Sequence, residues 1–514
     1  MGVKYIYLAE ILVLSNYVLS FLNTRLYEWS VSDTMSKAKL FIDNFLIYGL
    51  GGIISKIIPL IMVPLVAKIM PSTSYLGISD MSQTIINFGC ALAVLGMFDA
   101  MYRLFFEKTE DEYKKNVCST TLIFTIATSL IVCILMILLK DYLAKWFLGN
   151  SELSYVIYLS AIATLVTSTN SIISAPTRMQ NKRAVYLITN TVSSLLSFGI
   201  AIPLLLLGYY IIALPLATVI SGISIEISFF IMNRKWFVPR LFDKNVLKQL
   251  LIIALPLFPN FLIYWIFNSS DRLMITNLIG VGDEGVYSVG SKLGQTSQLI
   301  YIAFAGGWQY FAFSTMKEKK QVKSNSLVFE YLGVLSFTAT AFICALSYFI
   351  FIIFFEEEYI NGYIIAPYLF LAPLLQMLFQ VACNQFLIIK KTWPNMIILF
   401  SGAIINIILN LMLIPRIGIE GAAIATLVGY ISSVLIVSIV LSKMKLMTIS
   451  FRFIVSTMGM LTIFMLWRLI ANKDIILSLC AFILYAFLNL FLYRSDLKLL
   501  FSKLKRTKTK KELA

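Results

Sequence analysis

PNMIILFSGAIINIILNLMLIPRIGIEGAAIATLVGYISSVLIVSIVL, residues 394–441, decides the fold. It holds two apolar blocks, 394–415 and 418–441, with Arg416 and Glu420 at the turn between them. Each block exceeds the about 20 residues that carry a helix across a hydrocarbon core of about 30 Å. Strands of a membrane barrel alternate apolar and polar residues, and these blocks do not. Helix is the remaining way across, because lipid satisfies no backbone hydrogen bond.

The same texture fills most of the chain. Of 514 residues, 59% are hydrophobic and 13% charged, against about 45–50% and about 25% in soluble domains. Fourteen spans are predicted: 41–67, 78–100, 117–139, 153–176, 184–206, 209–231, 249–270, 286–312, 327–353, 363–389, 394–415, 418–441, 450–470 and 474–493. The expectation is an all-α polytopic membrane protein of about 14 transmembrane helices, with connections too short to fold a soluble domain.

The net charge of +16 would suggest nucleic acid in a soluble protein. Here the basic residues lie between apolar blocks, so they read as topology signals and contacts for anionic lipid heads, and no nucleic-acid partner is expected. Counted over alternate connections, 33 of the 42 Lys and Arg residues fall on one side and 7 on the other, with Lys56 and Lys292 inside spans. The richer side is cytoplasmic by the positive-inside rule, which places both termini there. With no histidine in the sequence, a histidine base, a Ser-His triad and a histidine metal site are excluded. The six cysteines sit in or beside apolar blocks without metal-ligand spacing. Disulfides, metal and cofactor are not expected.

Residues 1–40 form an N-terminal extension with two readings. Tyr5–Leu22 is apolar but short and contains Glu10 and Asn16, as an interfacial helix would. The favoured reading is translation from Met35, because Lys37 and Lys39 ahead of the first span make an ordinary cytoplasmic N-terminus.

The chain resembles itself at an offset of 208. LATVISGIS at 216–224 matches IATLVGYIS at 424–432, Lys182-Arg183 matches Lys390-Lys391, Tyr102 and Phe105 match Tyr310 and Phe313, and Gly77 matches Gly285. Six helices separate the copies. An even number preserves orientation, so the halves are predicted to be related by a pseudo-two-fold axis along the membrane normal. That gives a first six-helix lobe with its linker at 41–247, a second lobe at 248–445, two additional helices at 446–493 and a basic cytoplasmic tail at 494–514.

Charge inside a span costs about 2.5–3.5 kcal/mol at mid-membrane on insertion scales, so each instance needs an offset. In the first span Asn44, Tyr48, Gly52, Lys56 and Pro59 form a polar and small-residue stripe, with Lys56 too central to snorkel easily. Asp80, Gln83, Thr84 and Asn87 share one face of the second span, and Ser288, Ser291, Lys292, Gln295 and Gln298 one face of the eighth. These faces either line a shared cavity or bond helix to helix. Glu226 lies in the sixth span, opposite Val434 in the repeat, and so is not required by the fold. With no histidine, Asp80 and Glu226 are the candidate proton or ion carriers. Asp99, Arg103 and Glu107 at the inner end of span two, and Asp271-Arg272 at the outer end of span seven, read as interfacial anchors or ion pairs. Arg103 is also placed to meet a lipid phosphate on the cytoplasmic side.

Three stretches carry a family resemblance: GMFDAMYRLFFE at 96–107, LLIIALPLFPNFLIYWIFNSSDRLMITNLIGVGDEGVYSVGSKL at 250–293, and NIILNLMLIPRIGIEGAAIATLVGY at 406–430. Their order and spacing resemble Wzx-type polysaccharide flippases of the multidrug/oligosaccharidyl-lipid/polysaccharide exporter superfamily. The resemblance implies twelve core helices in two lobes, alternating access, and a polyprenyl-diphosphate-linked oligosaccharide as substrate. Related lipid-precursor flippases carry cations on the first and eighth helices and an acid on the second. Lys56, Lys292 and Asp80 stand on those helices here, with lysine in place of the more usual arginine and its bidentate phosphate geometry.

The expected function is therefore translocation of O-antigen, capsule or exopolysaccharide repeat units across a bacterial plasma membrane, without enzymatic chemistry. Lys56, Lys292, Asp80, Gln83, Asn87, Ser291, Gln295 and Arg103 are the candidate diphosphate and cavity residues. A polysaccharide polymerase and glycosyltransferases are candidate partners. The rivals are a cation-coupled multidrug exporter of the same superfamily, which would want acidic cavity residues, and a membrane polysaccharide polymerase or ligase, which would need a catalytic external loop.

Overall fold

The computed structural model describes residues 58–498 apart from 181, 302–303, 305–307, 309–320, 390 and 392. Lys56, the N-terminal extension and the end of the basic tail lie outside the described residues. The described chain is helical, and the order follows the predicted spans. In the first half come α1 (Ile58–Ile69), α2 (Thr73–Val94), α3 (Met97–Phe105), α4 (Asp111–Leu138), α5 (Ser154–Ile173), α6 (Arg183–Leu206) and α7 (Ala213–Asn233). In the second come α8 (Lys244–Ala254), α9 (Phe258–Leu278), α10 (Val281–Gly294), α11 (Gln321–Phe354), α12 (Ala366–Ile388), α13 (Trp393–Ile417) and α14 (Ile419–Lys443). Helices α15 (Phe451–Leu466) and α16 (Ile475–Leu492) complete it.

Among the described residues ten helices are long and apolar enough to cross a membrane, or twelve when each of two bent pairs is taken as one span. The two remaining predicted spans, 41–67 and 286–312, run into residues outside the description. The bends have local causes. Between α2 and α3 the chain turns by 48°, where Leu95 and Gly96 take positive φ of 50° and 79°. Gly96 also lies so close to α8 that an added Cβ would sit 2.8 Å from the Ala254 carbonyl oxygen. Between α8 and α9 the turn is 46°, at the Pro256 and Pro259 segment, where proline withdraws backbone donors. Several helix starts are capped: Ser72 accepts from the Ser74 amide at 3.3 Å, Asp243 from Asn245 at 2.7 Å and Asp474 from Ile476 at 2.9 Å. Each satisfies one donor that an isolated helix end leaves open.

The helices pack in two groups. Helices α2, α4, α5, α6 and α7 contact one another in the first, and α9 to α16 in the second, which centres on α12, 83% buried along its spanning window. Helix α8 packs on α3 and α4 and so lies with the first group. The groups meet where α2 crosses α10. A Cβ on Gly77 would sit 2.1 Å from the Val281 carbonyl oxygen and 3.1 Å from the Gly285 nitrogen. A Cβ on Gly285 would sit 2.0 Å from the Thr73 carbonyl oxygen and 3.2 Å from the Gly77 nitrogen. Both pairs, 77 with 285 and 73 with 281, differ by the repeat offset of 208. Reciprocal contact between equivalent residues is what a two-fold axis imposes on an interface, and it places that axis between α2 and α10.

Helices α15 and α16 are fastened to the second group at both ends. At the start of α15, Arg452 meets Glu330 of α11 at 2.7 Å and Asp496 at 2.5 Å. At its far end Arg468 grips both carboxylate oxygens of Glu420 on α14, which also accepts from Tyr368 of α12 at 2.9 Å.

Candidate functional site

One turn along α2 from the glycine crossing, five charged side chains from three helices converge. Asp80 comes from α2, Asp271 and Arg272 from α9, and Glu284 and Lys292 from α10. Asp80, Asp271, Arg272 and Glu284 are all buried, and lipid or dry protein would make each costly without a partner. The partners are present. Asp80 forms an ion pair with the Arg272 guanidinium and receives the Lys292 ammonium at 3.2 Å. Arg272 also reaches Glu284 at 3.4 Å and donates from Nη2 to Ser291 Oγ at 2.9 Å. Asp271 accepts from the Tyr287 hydroxyl and, at 2.9 Å, from the Arg272 amide. The Lys292 side chain keeps 34% of its surface exposed, so it is the accessible cation of the set. Three carboxylates face two cations, and Glu284 Oε2 has no hydrogen-bond partner.

Beside the cluster, between α9, α10, α12 and α14, lies a cavity of about 40 Å³. Asp271, Arg272, Ser291, Gln295, Gln298 and Gln376 give it a polar lining, and the stacked rings of Phe267 and Tyr430, 4.3 Å between centroids, form an aromatic wall. At about 10–15 Å³ per water it seats a few waters and no sugar. Ser270 on α9, Asn406 and Asn410 on α13 and Thr426 on α14 hydrogen-bond to one another nearby.

The structure brings together Asp80, Lys292 and Ser291 and sets Gln295 in the adjoining cavity wall. Gln83 and Asn87 bond each other at 3.1 Å further along α2. Arg103 lies elsewhere, exposed on α3 beyond the bend, 23 residues from Asp80 and roughly 35 Å along the chain at 1.5 Å per residue. Glu226 is also separate: half-buried on α7, it accepts from Thr169 of α5 at 2.6 Å, inside the first group. The reading of Asp271-Arg272 as interfacial anchors at the end of a span is corrected: both are buried, and their ion pairing is central. The misplacement came from ending the span at 270, whereas α9 continues to Leu278. The signal was the stretch Leu273–Ile279 after the charged pair, apolar but for Thr276 and Asn277, with the break only at Gly280. Glu284, at the N-terminal end of α10, carried no stripe pattern and was missed.

Residues 41–317 match the protein family described as polysaccharide biosynthesis protein. The chain belongs to this family. Among solved structures it is similar to the lipid II flippase MurJ in an inward closed conformation, with a TM-score of 0.68 at 16% identity over 88% of this chain and 99% of that one. It is also similar to a multidrug resistance MATE family transporter of the MOP superfamily. The inward-facing form gives a TM-score of 0.60 at 14% identity, covering 78% of this chain and 94% of that one. The outward-facing form gives 0.59 at 13%, covering 79% and 95%. No curated protein matches the sequence. The fold is therefore that of the MurJ and MATE structures, in a multi-pass membrane protein.

Proposed function

We propose that this chain flips a polyprenyl-diphosphate-linked oligosaccharide, the repeat unit of an O-antigen, capsule or exopolysaccharide, across a bacterial plasma membrane with both termini in the cytoplasm. The observation that carries the reading is the bond from Asp80 of the first helix group to Lys292 and Arg272 of the second. An arriving diphosphate competes with the Asp80 carboxylate for those two cations, with Lys56 of the first span as a further cation. As Asp80 is released, the tie between the groups loosens beside the glycine crossing. The groups then rock apart at the Thr73 and Val281 end and together at the other. Ser291, Gln295, Gln83 and Asn87 offer hydrogen bonds to sugar hydroxyls, while the polyprenyl chain stays in lipid. Arg103, exposed at the charge-rich end, makes an early contact with the phosphate. Asp80, once freed, and Glu226 are the candidate ion carriers that couple the cycle to a gradient. Glycosyltransferases supply the substrate, and a polymerase receives it.

Lys292→Gln, alone and with Lys56→Gln, tests this reading. Lipid-linked repeat units accumulate on the cytoplasmic side and surface polysaccharide falls, at unchanged membrane levels of the protein. Normal export by the double variant refutes it. The three carboxylates set against two cations favour a second reading, export of cationic drugs. A deletion strain that gains drug sensitivity while keeping its surface polysaccharide selects that reading.

A further inference from the structure

Helix α8 has two unlike faces. Val246, Leu250 and Ala254, at helical spacing, are buried against α3 and α4. The opposite side opens on a groove of about 440 Å³ lined, among the described residues, by Lys244, Leu247, Lys248, Leu251, Ile252, Leu255 and Pro256. The order along the helix matters. Lys244 and Lys248 are exposed, one turn apart, at the end of α8 that follows the inter-group linker. Leu251, Ile252 and Leu255 follow along the chain toward the bend into α9. The sequence thus lays out charge first and then about two turns of apolar wall.

We infer that this groove binds one anionic glycerophospholipid, with its phosphate on Lys244 and Lys248 and one acyl chain along Leu251, Ile252 and Leu255. Charge complementarity sets the headgroup: Lys244 and Lys248 stand at one end, and no carboxylate is among the described lining residues. Length sets the tail: from Leu247 to Leu255 the wall runs eight residues, about 12 Å at 1.5 Å per residue, a stretch that one acyl chain can follow. Two lysines act as point charges rather than as a bidentate fork, which suits a phosphodiester monoanion. The site is remote from the Asp80 cluster and stands whether or not the proposed substrate is right. Because α8 is seated on α3 and α4 while α9 belongs to the second group, the bound lipid rests on the connection that must flex when the groups rock.

The test is native mass spectrometry of the full-length protein released from detergent with phosphatidylglycerol, phosphatidylcholine or polyprenyl diphosphate. Near an anionic lipid surface each lysine contributes about fivefold in affinity, so Lys244→Gln with Lys248→Gln is expected to cut phosphatidylglycerol retention by about thirtyfold. Ile252→Trp, which fills the groove and leaves both lysines, is expected to cut it as well. Unchanged retention in either variant overturns the inference. So does equal retention of phosphatidylcholine, or displacement of phosphatidylglycerol by polyprenyl diphosphate in a lysine-dependent way. Gel-filtration profiles of the variants, whose altered residues are exposed, establish that they remain folded.

Discussion

Replacing Gly77 by alanine should push the two helix groups apart at the Thr73 and Val281 end. The added Cβ would sit 2.1 Å from the Val281 carbonyl oxygen, whereas ordinary contact begins at 3.4 Å. The shortfall, 3.4 minus 2.1, is about 1.3 Å. It falls on backbone, which has no rotamer to turn away, so α2 and α10 must separate or tilt. Overpacking of this kind costs about 1–3 kcal/mol, and only the conformer with α2 against α10 bears it. An energy difference of that size shifts a two-state population about 5- to 150-fold. Alanine also favours helix over glycine by about 1 kcal/mol, but in both conformers alike, so unfolding is not the expected outcome. Spin labels at Lys68, five residues before the start of α2, and at Asp283 in the first turn of α10, both exposed, report the separation by double electron–electron resonance in lipid nanodiscs. Gly77→Ala should move population to a longer distance. An unchanged distribution in a folded variant refutes the proposal that the groups separate at this crossing.

Four further outcomes follow from the buried charges. Arg272→Gln leaves Asp80 and Glu284 buried without their guanidinium and should lower stability by about 3–5 kcal/mol, read as a fall in melting temperature. Asp80→Asn combined with Arg272→Gln should cost less than the sum of the single changes, and strict additivity would show the two are not coupled. Tyr287→Phe removes the hydroxyl donor of Asp271 and should cost about 1–3 kcal/mol, again by thermal melting, without altering the Lys292–Asp80 contact. Arg468→Ala leaves the buried Glu420 carboxylate with the Tyr368 hydroxyl as its remaining partner and should cost about 1–3 kcal/mol. Hydrogen exchange should therefore quicken in residues 467–474 and leave α10 unchanged.

The span pattern was legible because lipid leaves helix as the economical solution for every apolar block, and hydropathy needs no partner to be read. Gly77 and Gly285 were also visible, as one of the pairs at offset 208, although nothing in the sequence said that the two touch. What the sequence hid was the register of the charges. The repeat aligns Asp80 with Ser288 and Thr84 with Lys292, yet the ion pair joins Asp80 to Lys292, 212 residues apart. Symmetry equivalence and contact coincide only on the axis. At the glycines the helices touch across it, and one turn further on a long lysine reaches back to a short aspartate. Arg272 was hidden for a different reason. A charged pair after an apolar block looks like a membrane boundary, and only its partners on α2 and α10 show that it is interior.

The composition of the crossing bears on how it can move. Taking two charges out of water costs about as much as their attraction returns, so a buried ion pair adds little net stability over well-packed apolar residues, while loss of a single partner is expensive. Asp80, Arg272 and Lys292 therefore set which arrangement of the two helix groups is allowed more than how strongly they adhere. The glycines supply the close backbone approach, which separates as a unit once the charges permit. An anion that takes Asp80's place on the two cations leaves their charge satisfied while removing the link to the first group. The exchange needs only the difference in affinity between one carboxylate and the incoming phosphate, and a ligand shifts a conformational equilibrium by no more than such a difference. A neutral ligand has no purchase on this tie, and a cationic one would act on Asp80 and Glu284 instead. The sign of the ligand charge that opens the crossing thus separates the two proposed transport activities at a single ion pair.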